Sequence, residues 1–298
     1  MECIASLQTI VEKVKGAKNK TIVVAAAEAH DVLASTVHAK REGLADVLYI
    51  GKTDQIRKLA TAYQIPIEGI DIIEESDALK AAKLALQFVK EGQAQVLMKG
   101  QIGTSQILEI VLKDEDLKKE GGKEHFLSHV TIFEWEGRLK MFSDPALSIA
   151  PTIEQKRKIT LNVLESARKL GMTRPRIAFL SAVEKVNPKM PSSVDAAELA
   201  KMDWGDAIAG GPLAFDGAMF EEAYQAKGVP SPVEGKADIL ITPNIETANL
   251  LYKVLAWMAR VPIGGTMVGS PIPFVVTSRS DSERIKFVSI AITLYLAE

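Results

Sequence analysis

The stretch Thr277–Lys286, TSRSDSERIK, brings hydroxyl, guanidinium and carboxylate side chains together directly after an apolar run. The apolar residues 272–276 predict a strand, and the residues that follow the stretch predict a helix. A strand-to-helix turn requires only one capping side chain. The surplus of polar groups around Arg279 therefore poses the question of whether an anion binds here.

A second polar loop, MKGQIGTSQ at 98–106, lies between a predicted strand and a predicted helix. Lys99 supplies a cation, and Gly100 lets backbone N–H groups approach a ligand closely. Thr104 stands at the predicted start of the helix, where negative charge is favoured. The glycine spacing matches neither GxGxxG nor a Walker motif. An ordinary glycine turn with a threonine cap explains the same residues equally well.

Three further strand ends carry polar residues or glycines. Ser128 lies in SHV, and Asp144 precedes a proline in FSDPA, where aspartate is a common turn former. In GGPLAFDGA, Gly211 and Pro212 free the backbone from a regular ladder. Asp216 in the same stretch is also a candidate cap for the helix that follows.

The last two candidate loops lie in the C-terminal third of the chain. In TPNIETANLLYK, Pro243 ends a predicted strand, and Asn249 and Lys253 share one face of the following helix. PIGGTMVGSPIP at 262–273 contains Gly265 and Gly269. We interpret this stretch as a loop that either lies flat against an elongated ligand or crosses between domains.

Alternating strands and helices must position these loops. β-branched runs at 21–27, 45–51 and 94–100 alternate with amphipathic helical stretches, which is typical of an α/β fold. Ligands of such folds bind at the carboxyl ends of the strands. A Thr152-x-x-Gln155 capping box opens a long helix and predicts a second domain from about residue 150. The final strand and helix are candidates to return to the first domain.

Composition narrows the classes of function. The chain has 298 residues, 47% of them hydrophobic and 25% charged, with a net charge of −2. No global field attracts nucleic acid or a membrane, so an anion must be held by a local cluster. The single cysteine, Cys3, and the scattered histidines predict no metal site. Neither a signal peptide nor a membrane span is predicted, and the simplest location is the cytoplasm.

Four motifs in this order, GGPLAFDGA, ADILITPNIETANLLYK, GGTMVGSPIP and TSRSDSERI, resemble those of the phosphate acetyl- and butyryltransferases. MKGQIGTS and SHV are more similar to the butyryl branch. The resemblance implies two three-layer α/β domains with an interdomain cleft, as in isocitrate and isopropylmalate dehydrogenases. The first domain would comprise 1–150 plus 271–298, and the second 151–270.

The resemblance also implies an activity: an acyl-CoA and inorganic phosphate give acyl phosphate and CoA, with a short or branched, butyryl-type acyl group favoured. Coenzyme A would be a substrate and product, no cofactor would be needed, and the enzyme would be a homodimer or higher homo-oligomer. Arg279 and Lys99 would bind phosphate, and Ser278 would donate to the carbonyl oxygen or leaving sulfur. The other expected substrate-binding residues are Gly100, Thr104, Ser128, Asp144, Gly211, Pro212, Asp216, Pro243, Asn249, Lys253, Gly265 and Gly269.

Two positions depart from the family pattern. Acetyl-type members carry an aspartate, assigned as general base, farther into the final helix, where this chain has Arg284. Asp281 is therefore the candidate base. Glu109 stands where arginine is common in the family. These departures keep a catalytically silent CoA-binding homologue as an alternative, and the implied architecture keeps an NAD-dependent hydroxy-acid dehydrogenase as another.

Overall fold

A computed structural model describes residues 3–16, 20–119 and 126–297 of the chain. Its strands are β1 (Thr21–Ala25), β2 (Asp46–Gly51), β3 (Asp71–Glu74), β4 (Val96–Lys99), β5 (Ser128–Trp135), β6 (Arg138–Ser143), β7 (Arg176–Leu180), β8 (Ile208–Leu213), β9 (Ile239–Ile241), β10 (Ile263–Val268) and β11 (Phe274–Val275). Its helices are α1 (Leu7–Val14), α2 (His30–Arg41), α3 (Thr53–Ala62), α4 (Ala78–Lys90), α5 (Thr104–Lys113), α6 (Glu115–Lys119), α7 (Ile153–Lys169), α8 (Pro191–Leu199), α9 (Phe215–Met219), α10 (Glu221–Lys227), α11 (Ile245–Lys253) and α12 (Glu283–Leu296), and a π-helical segment, Val254–Met258, follows α11. The mixed α/β class predicted from the sequence is confirmed.

The chain divides into two compact units. The N/C unit comprises Gln8–His125 and Gly264–Glu298, and the middle unit comprises Met1–Leu7 and Phe126–Ile263. The C-terminal segment thus belongs with the N-terminal half of the chain. Among the described residues, no helix is long and apolar enough to span a membrane.

The strands of the N/C unit are ordered β3-β2-β1-β4-β11-β10. The strands from β3 to β11 run parallel, and β10 is antiparallel to β11. β1 is built from β-branched residues and is buried from Ile22 to Ala25, as expected for a central parallel strand covered on both faces. α12 packs against α2, and the rings of His38 and Phe287 stack at 4.1 Å between centroids.

The strands of the middle unit are ordered β5-β6-β9-β7-β8. β5 and β6 form an antiparallel hairpin, and β6, β9, β7 and β8 run parallel. α7 begins with the predicted capping box, in which Thr152 Oγ1 accepts the N–H of Gln155 and the Gln155 side chain accepts the N–H of Thr152.

The boundaries between the units differ from 150 and 270. Residues 126–150 belong to the middle unit because β6 pairs with β9, with Met141 opposite Ile239. The segment from Gly264 onward belongs to the N/C unit because β10 pairs with β11, with Met267 opposite Phe274. The first boundary is determined by pairing between strands far apart in the sequence, which local composition does not reveal, and the second by pairing between neighbouring strands.

The prediction that 262–273 is a loop is wrong over its first half, because 263–268 form the buried strand β10. Its glycines allow α12 to approach the sheet closely. A Cβ atom on Gly264 would lie 2.8 Å from Val288 Cγ1 and 3.2 Å from the N atom of Ser289. The same glycines that resemble a flexible loop in the sequence are thus close-packing positions.

The helical segments after β8 and β9 are irregular. After β8 the helical residues are divided into α9 and α10, because Phe220 has an extended backbone (φ −124°, ψ 122°). Gly235 packs closely against this break, since a Cβ on it would lie 2.6 Å from the carbonyl carbon of Phe220. After β9, α11 changes to π-helical geometry at Val254.

Candidate active site

The carboxyl ends of β1, β4 and β11 lie side by side in the N/C unit, and their loops bring polar groups to one edge of the sheet. The first two loops are joined by their backbones. The N–H of Gly100 donates to Ala25 O at 2.9 Å, and the N–H of Gln101 donates to Ala26 O at 2.6 Å. A Cβ at position 100 would lie 2.1 Å from Ala26 O, so only glycine fits there. Thr104 is the first residue of α5.

The segment from Ser278 to Asp281 forms a closed turn after β11. The N–H of Ser278 donates to Asp281 Oδ2 at 2.7 Å, and the N–H of Asp281 donates to Ser278 O at 3.1 Å. Ser278 Oγ and Ser280 Oγ are 3.1 Å apart. Ser282 alone caps α12, through its Oγ and the N–H of Ile285 at 3.3 Å. The surplus of polar groups in this stretch therefore shapes the turn rather than the helix start.

Lys286 lies beneath this turn and is only 2% exposed. Its Nζ donates to Ser278 O at 2.9 Å and to Asp281 O at 2.7 Å, and forms an ion pair with Asp31 Oδ2 at 2.6 Å. Asp31 comes from the first turn of α2, which follows β1. Since an ammonium group has three hydrogens, these partners use its full donor capacity.

Lys99, the last residue of β4, is also buried, at 5% exposure. Its Nζ donates to Gly100 O at 3.1 Å. Burial, followed by the positive charges of Arg279 and Lys286, lowers the pKa of Lys99 from 10.5 to about 8. The titration of this lysine therefore falls near physiological pH, unlike that of a solvated lysine.

Five charged groups interact around Lys99. Three cations, Lys99 itself, Arg279 and Lys286, face two carboxylates, those of Asp31 and Asp281, and both carboxylates act on the pKa of Lys99 in the opposite sense to the other two cations. Within this set of five groups, three positive and two negative charges leave one positive charge in excess when all are ionised. Arg279 is exposed, whereas the other four are buried or half-buried. The arrangement is suited to an anion that contacts Arg279.

Two of the middle-unit candidates, Asp144 and Asn249, form hydrogen bonds to backbone groups of one turn. The buried carboxylate of Asp144 accepts N–H groups from Ala146 at 3.0 Å, Leu147 at 3.1 Å and Ser148 at 3.2 Å. Asn249 Nδ2 donates to the carbonyl of Pro145 at 3.1 Å, so Asp144 and Asn249 meet around one turn. This is the turn-forming behaviour that the sequence allows for an aspartate before proline.

The other candidates in the middle unit are spread over separate elements. Ser128 is buried at the start of β5 and accepts from Asn162 Nδ2 at 3.0 Å. The prediction that Asp216 caps a helix is wrong: Ala214 is the N-cap of α9, and Asp216 lies in the first turn of that helix, where its carboxylate pairs with Lys227. The remaining members are Gly211 and Pro212 within β8, Pro243 between β9 and α11, and Lys253, whose Nζ lies 5.0 Å from the centre of the Tyr252 ring.

Three further positions of the N/C unit, Gly265, Gly269 and Glu109, have local contacts or conformations of their own. The N–H of Gly265 donates to Ser289 Oγ at 3.0 Å inside the core, so this amide is already occupied. Gly269 follows β10 with a positive φ of 69°, a conformation that favours glycine. Glu109 is exposed on α5 and pairs with Lys113 one turn later.

Sequence reasoning missed Lys286 and Asp31. A signal for Lys286 was present, because it shares the buried face of α12 with Ile290 and Thr293, at helical spacings of four and seven residues. A charged residue within an apolar stripe requires a buried partner. Its partner, Asp31, lies 255 residues away in the sequence, and no local pattern links the two.

The sequence of this chain matches a protein family and individual members of it. Residues 76–294 match the family model "Phosphate acetyl/butaryl transferase". A phosphate butyryltransferase from Clostridium acetobutylicum is 39% identical over 99% of this chain and 99% of its own length. A phosphate acetyltransferase from Thermotoga maritima is 37% identical over 98% of this chain and 99% of its own.

A solved structure also matches. The crystal structure of a branched-chain phosphotransacylase from Enterococcus faecalis V583 aligns with a TM-score of 0.80 and 35% sequence identity. The alignment covers 94% of this chain and 99% of that one. The resemblance inferred from the four ordered motifs is therefore confirmed over nearly the whole chain.

Proposed function

Because this chain belongs to the family of phosphate acetyl- and butyryltransferases, we propose that it converts a short- or branched-chain acyl-CoA and inorganic phosphate to acyl phosphate and CoA. The observation that carries the proposal is the match over nearly the full chain to transferases of both branches, at 39% and 37% identity. The exposed guanidinium of Arg279, with the buried cations Lys99 and Lys286 near it, supplies the donors and positive charge that a phosphate substrate requires.

The reaction requires stabilisation of two negative charges, one on the carbonyl oxygen and one on the departing sulfur. A phosphate oxygen forms a bond to the thioester carbonyl carbon, and the carbonyl oxygen becomes an oxyanion. The carbon–sulfur bond then breaks, and CoA leaves as a thiolate that takes up a proton. Arg279 binds the phosphate through its exposed guanidinium fork, and protonated Lys99 adds a second positive charge at the same loop edge.

Ser278 is placed to assist the carbonyl or the leaving group. Its side chain is half-buried, and its hydroxyl is within hydrogen-bond distance of Ser280 Oγ. Rotation of this hydroxyl provides a donor to the oxyanion or to the departing sulfur. Asp281 holds the Ser278 backbone through one carboxylate oxygen, so it orients this donor. Its role as the general base stays a prediction.

Butyryl-type selectivity is the proposed preference, supported by a relative named phosphate butyryltransferase and a solved branched-chain phosphotransacylase. Coenzyme A is substrate and product, and no resident cofactor is proposed. The dehydrogenase-like two-domain architecture, the cytoplasmic location and the homodimer stay predictions. So do the substrate-binding roles of Gly100, Thr104, Ser128, Asp144, Gly211, Pro212, Asp216, Pro243, Asn249, Lys253, Gly265 and Gly269.

Thiol release tests the proposal directly. The purified protein is mixed with butyryl-CoA or acetyl-CoA, with and without phosphate, and free CoA is followed with a colorimetric thiol reagent. We expect phosphate-dependent release that is faster with butyryl-CoA. Binding of CoA without release would instead support the silent homologue.

Replacement of Arg279 by alanine locates the reaction at the proposed site. We expect Arg279→Ala to lower turnover by about 100-fold or more and to raise the KM for phosphate, since a bidentate charge-assisted contact is lost. Arg41→Ala is the matched control, because Arg41 is exposed on α2 of the same unit. Wild-type kinetics in Arg279→Ala would refute the site assignment.

A further inference from the structure

Lys286 has no role in the chemistry described above, yet it is the most deeply buried charged side chain at the candidate site. We propose that Lys286, held by Asp31, is a positioning residue that fixes the Ser278–Asp281 turn in the geometry needed for phosphate transfer. This inference rests on the proposed function and adds residues to its machinery that the motifs do not contain.

The contacts of Lys286 are directed at the turn. Its Nζ binds the carbonyls of the first and last residues of the turn, Ser278 and Asp281, at 2.9 and 2.7 Å. Arg279, between these two residues, is exposed, so burial does not hold its backbone in place. Fixing both ends of the turn from below fixes the direction in which Arg279 and Ser278 leave the backbone.

Asp31 makes this arrangement possible. Burying the charge of a lysine that is 2% exposed is costly without an acidic partner, and Asp31 Oδ2 provides one at 2.6 Å. Asp31 follows the loop after β1, whereas Lys286 supports the loop after β11. The pair therefore couples two of the polar loops at this edge of the sheet.

A buried ion pair in the middle unit offers a comparison. Lys156 is 5% exposed, and its Nζ lies 2.6 Å from Asp195 Oδ2, so its burial and distance match those of the Lys286–Asp31 pair. It joins α7 to α8 in the middle unit. The contacts of Lys286 to the two turn carbonyls are what distinguish the two pairs.

The test uses double variants, because a single substitution leaves a buried carboxylate without its partner. Lys286→Met with Asp31→Asn removes the pair and its charge together, and Lys156→Met with Asp195→Asn is the control. Each protein is assayed for phosphate-dependent thiol release. Each is also examined by hydrogen-exchange mass spectrometry of the peptide that covers 277–282.

We expect the Lys286/Asp31 double variant to lose about 100-fold in kcat, the effect of a small misplacement of reacting groups. Exchange in 277–282 should accelerate by about tenfold or more, since two charge-assisted hydrogen bonds are lost. The control double variant should keep wild-type kcat and exchange. Wild-type kcat and exchange in the Lys286/Asp31 variant would overturn the proposal, as would an equal loss of kcat in the control.

Two further outcomes are decisive. If the double variant does not fold, Asp31→Asn alone retains the size of the side chain, and we expect kcat to fall about fivefold from the weaker ion–dipole contact. Unchanged kcat in that variant would overturn the proposal. If the wild-type protein releases no thiol with phosphate, the proposed function fails, and accelerated or unaltered exchange in 277–282 still decides the positioning role.

Discussion

Replacement of Lys99 by methionine should stabilise the protein while weakening its interaction with phosphate. The pKa of Lys99 is lowered from 10.5 to about 8 by burial and by the charges of Arg279 and Lys286. At pH 7 the protonated side chain therefore costs about 3 kcal/mol of folding free energy. Methionine has a similar length and no charge, and it loses only the hydrogen bond to Gly100 O, about 1 kcal/mol. We expect a net gain of about 2 kcal/mol at pH 7.

The pH dependence of the stability difference tests whether the lowered pKa of Lys99 is its cause. Because the folded pKa of Lys99 lies below the unfolded value, the unfolded chain binds more protons between about pH 8 and pH 10.5. The free energy of unfolding of the wild-type protein therefore rises with pH through this window, relative to the variant. At pH 9.5 the advantage of Lys99→Met should shrink to about 0.5 kcal/mol or less.

Urea unfolding in phosphate-free buffer at pH 7 and pH 9.5 measures this difference, since bound phosphate would itself stabilise the wild-type protein. Lys113→Met is the control: its side chain is 73% exposed, and its removal should change stability by about 0.5 kcal/mol or less at both pH values. A Lys99→Met variant that is less stable at pH 7 would refute the reasoning. So would an advantage that is the same at both pH values.

Two further predictions concern the same loop edge. The KM for phosphate of the wild-type enzyme should rise about tenfold from pH 7 to pH 9.5 as Lys99 loses its proton, and a steady-state pH series on Lys99→Met should lack this rise. Gly100→Ala should destabilise the protein by about 3 kcal/mol in urea unfolding, because the new Cβ would lie 2.1 Å from the backbone oxygen of Ala26. Gly43→Ala, at a positive φ of 72° with no atom within 4 Å, should cost only about 1 kcal/mol, and equal losses in the two variants would contradict the steric argument.

The α/β alternation was predictable because each element carries its own local signal. The β-branched residues of β1 and the capping box at Thr152 determine structure over a few residues, and both predictions are confirmed. β10 was not predictable in this way. Its glycines serve the close approach of α12, whose Val288 would contact a Cβ on Gly264. When a glycine is required by packing against another element, the local sequence does not reveal the requirement.

In the candidate site, too, some features could be predicted from the local sequence and others depend on the tertiary fold. Arg279 could be chosen from the sequence because more polar groups follow this strand than a helix cap requires, and the family resemblance adds Ser278. The consequence of burying Lys99 could not, because its lowered pKa depends on Arg279 and Lys286 from the distant C-terminal segment. Sequence reasoning identifies groups that contact solvent, whereas the protonation of buried groups depends on the tertiary fold.

The charges of the two buried lysines at this edge, Lys286 and Lys99, are compensated to different extents. Lys286 has a carboxylate and two carbonyls within hydrogen-bond distance, so its charge is compensated in the folded protein. Lys99 donates to the Gly100 carbonyl, and its lowered pKa shows that the protein only partly compensates its charge. An arriving phosphate dianion would supply the missing compensation. The instability of protonated Lys99 without substrate is therefore a source of affinity for the anion, whereas the satisfied charge of Lys286 serves to hold the turn that presents Arg279.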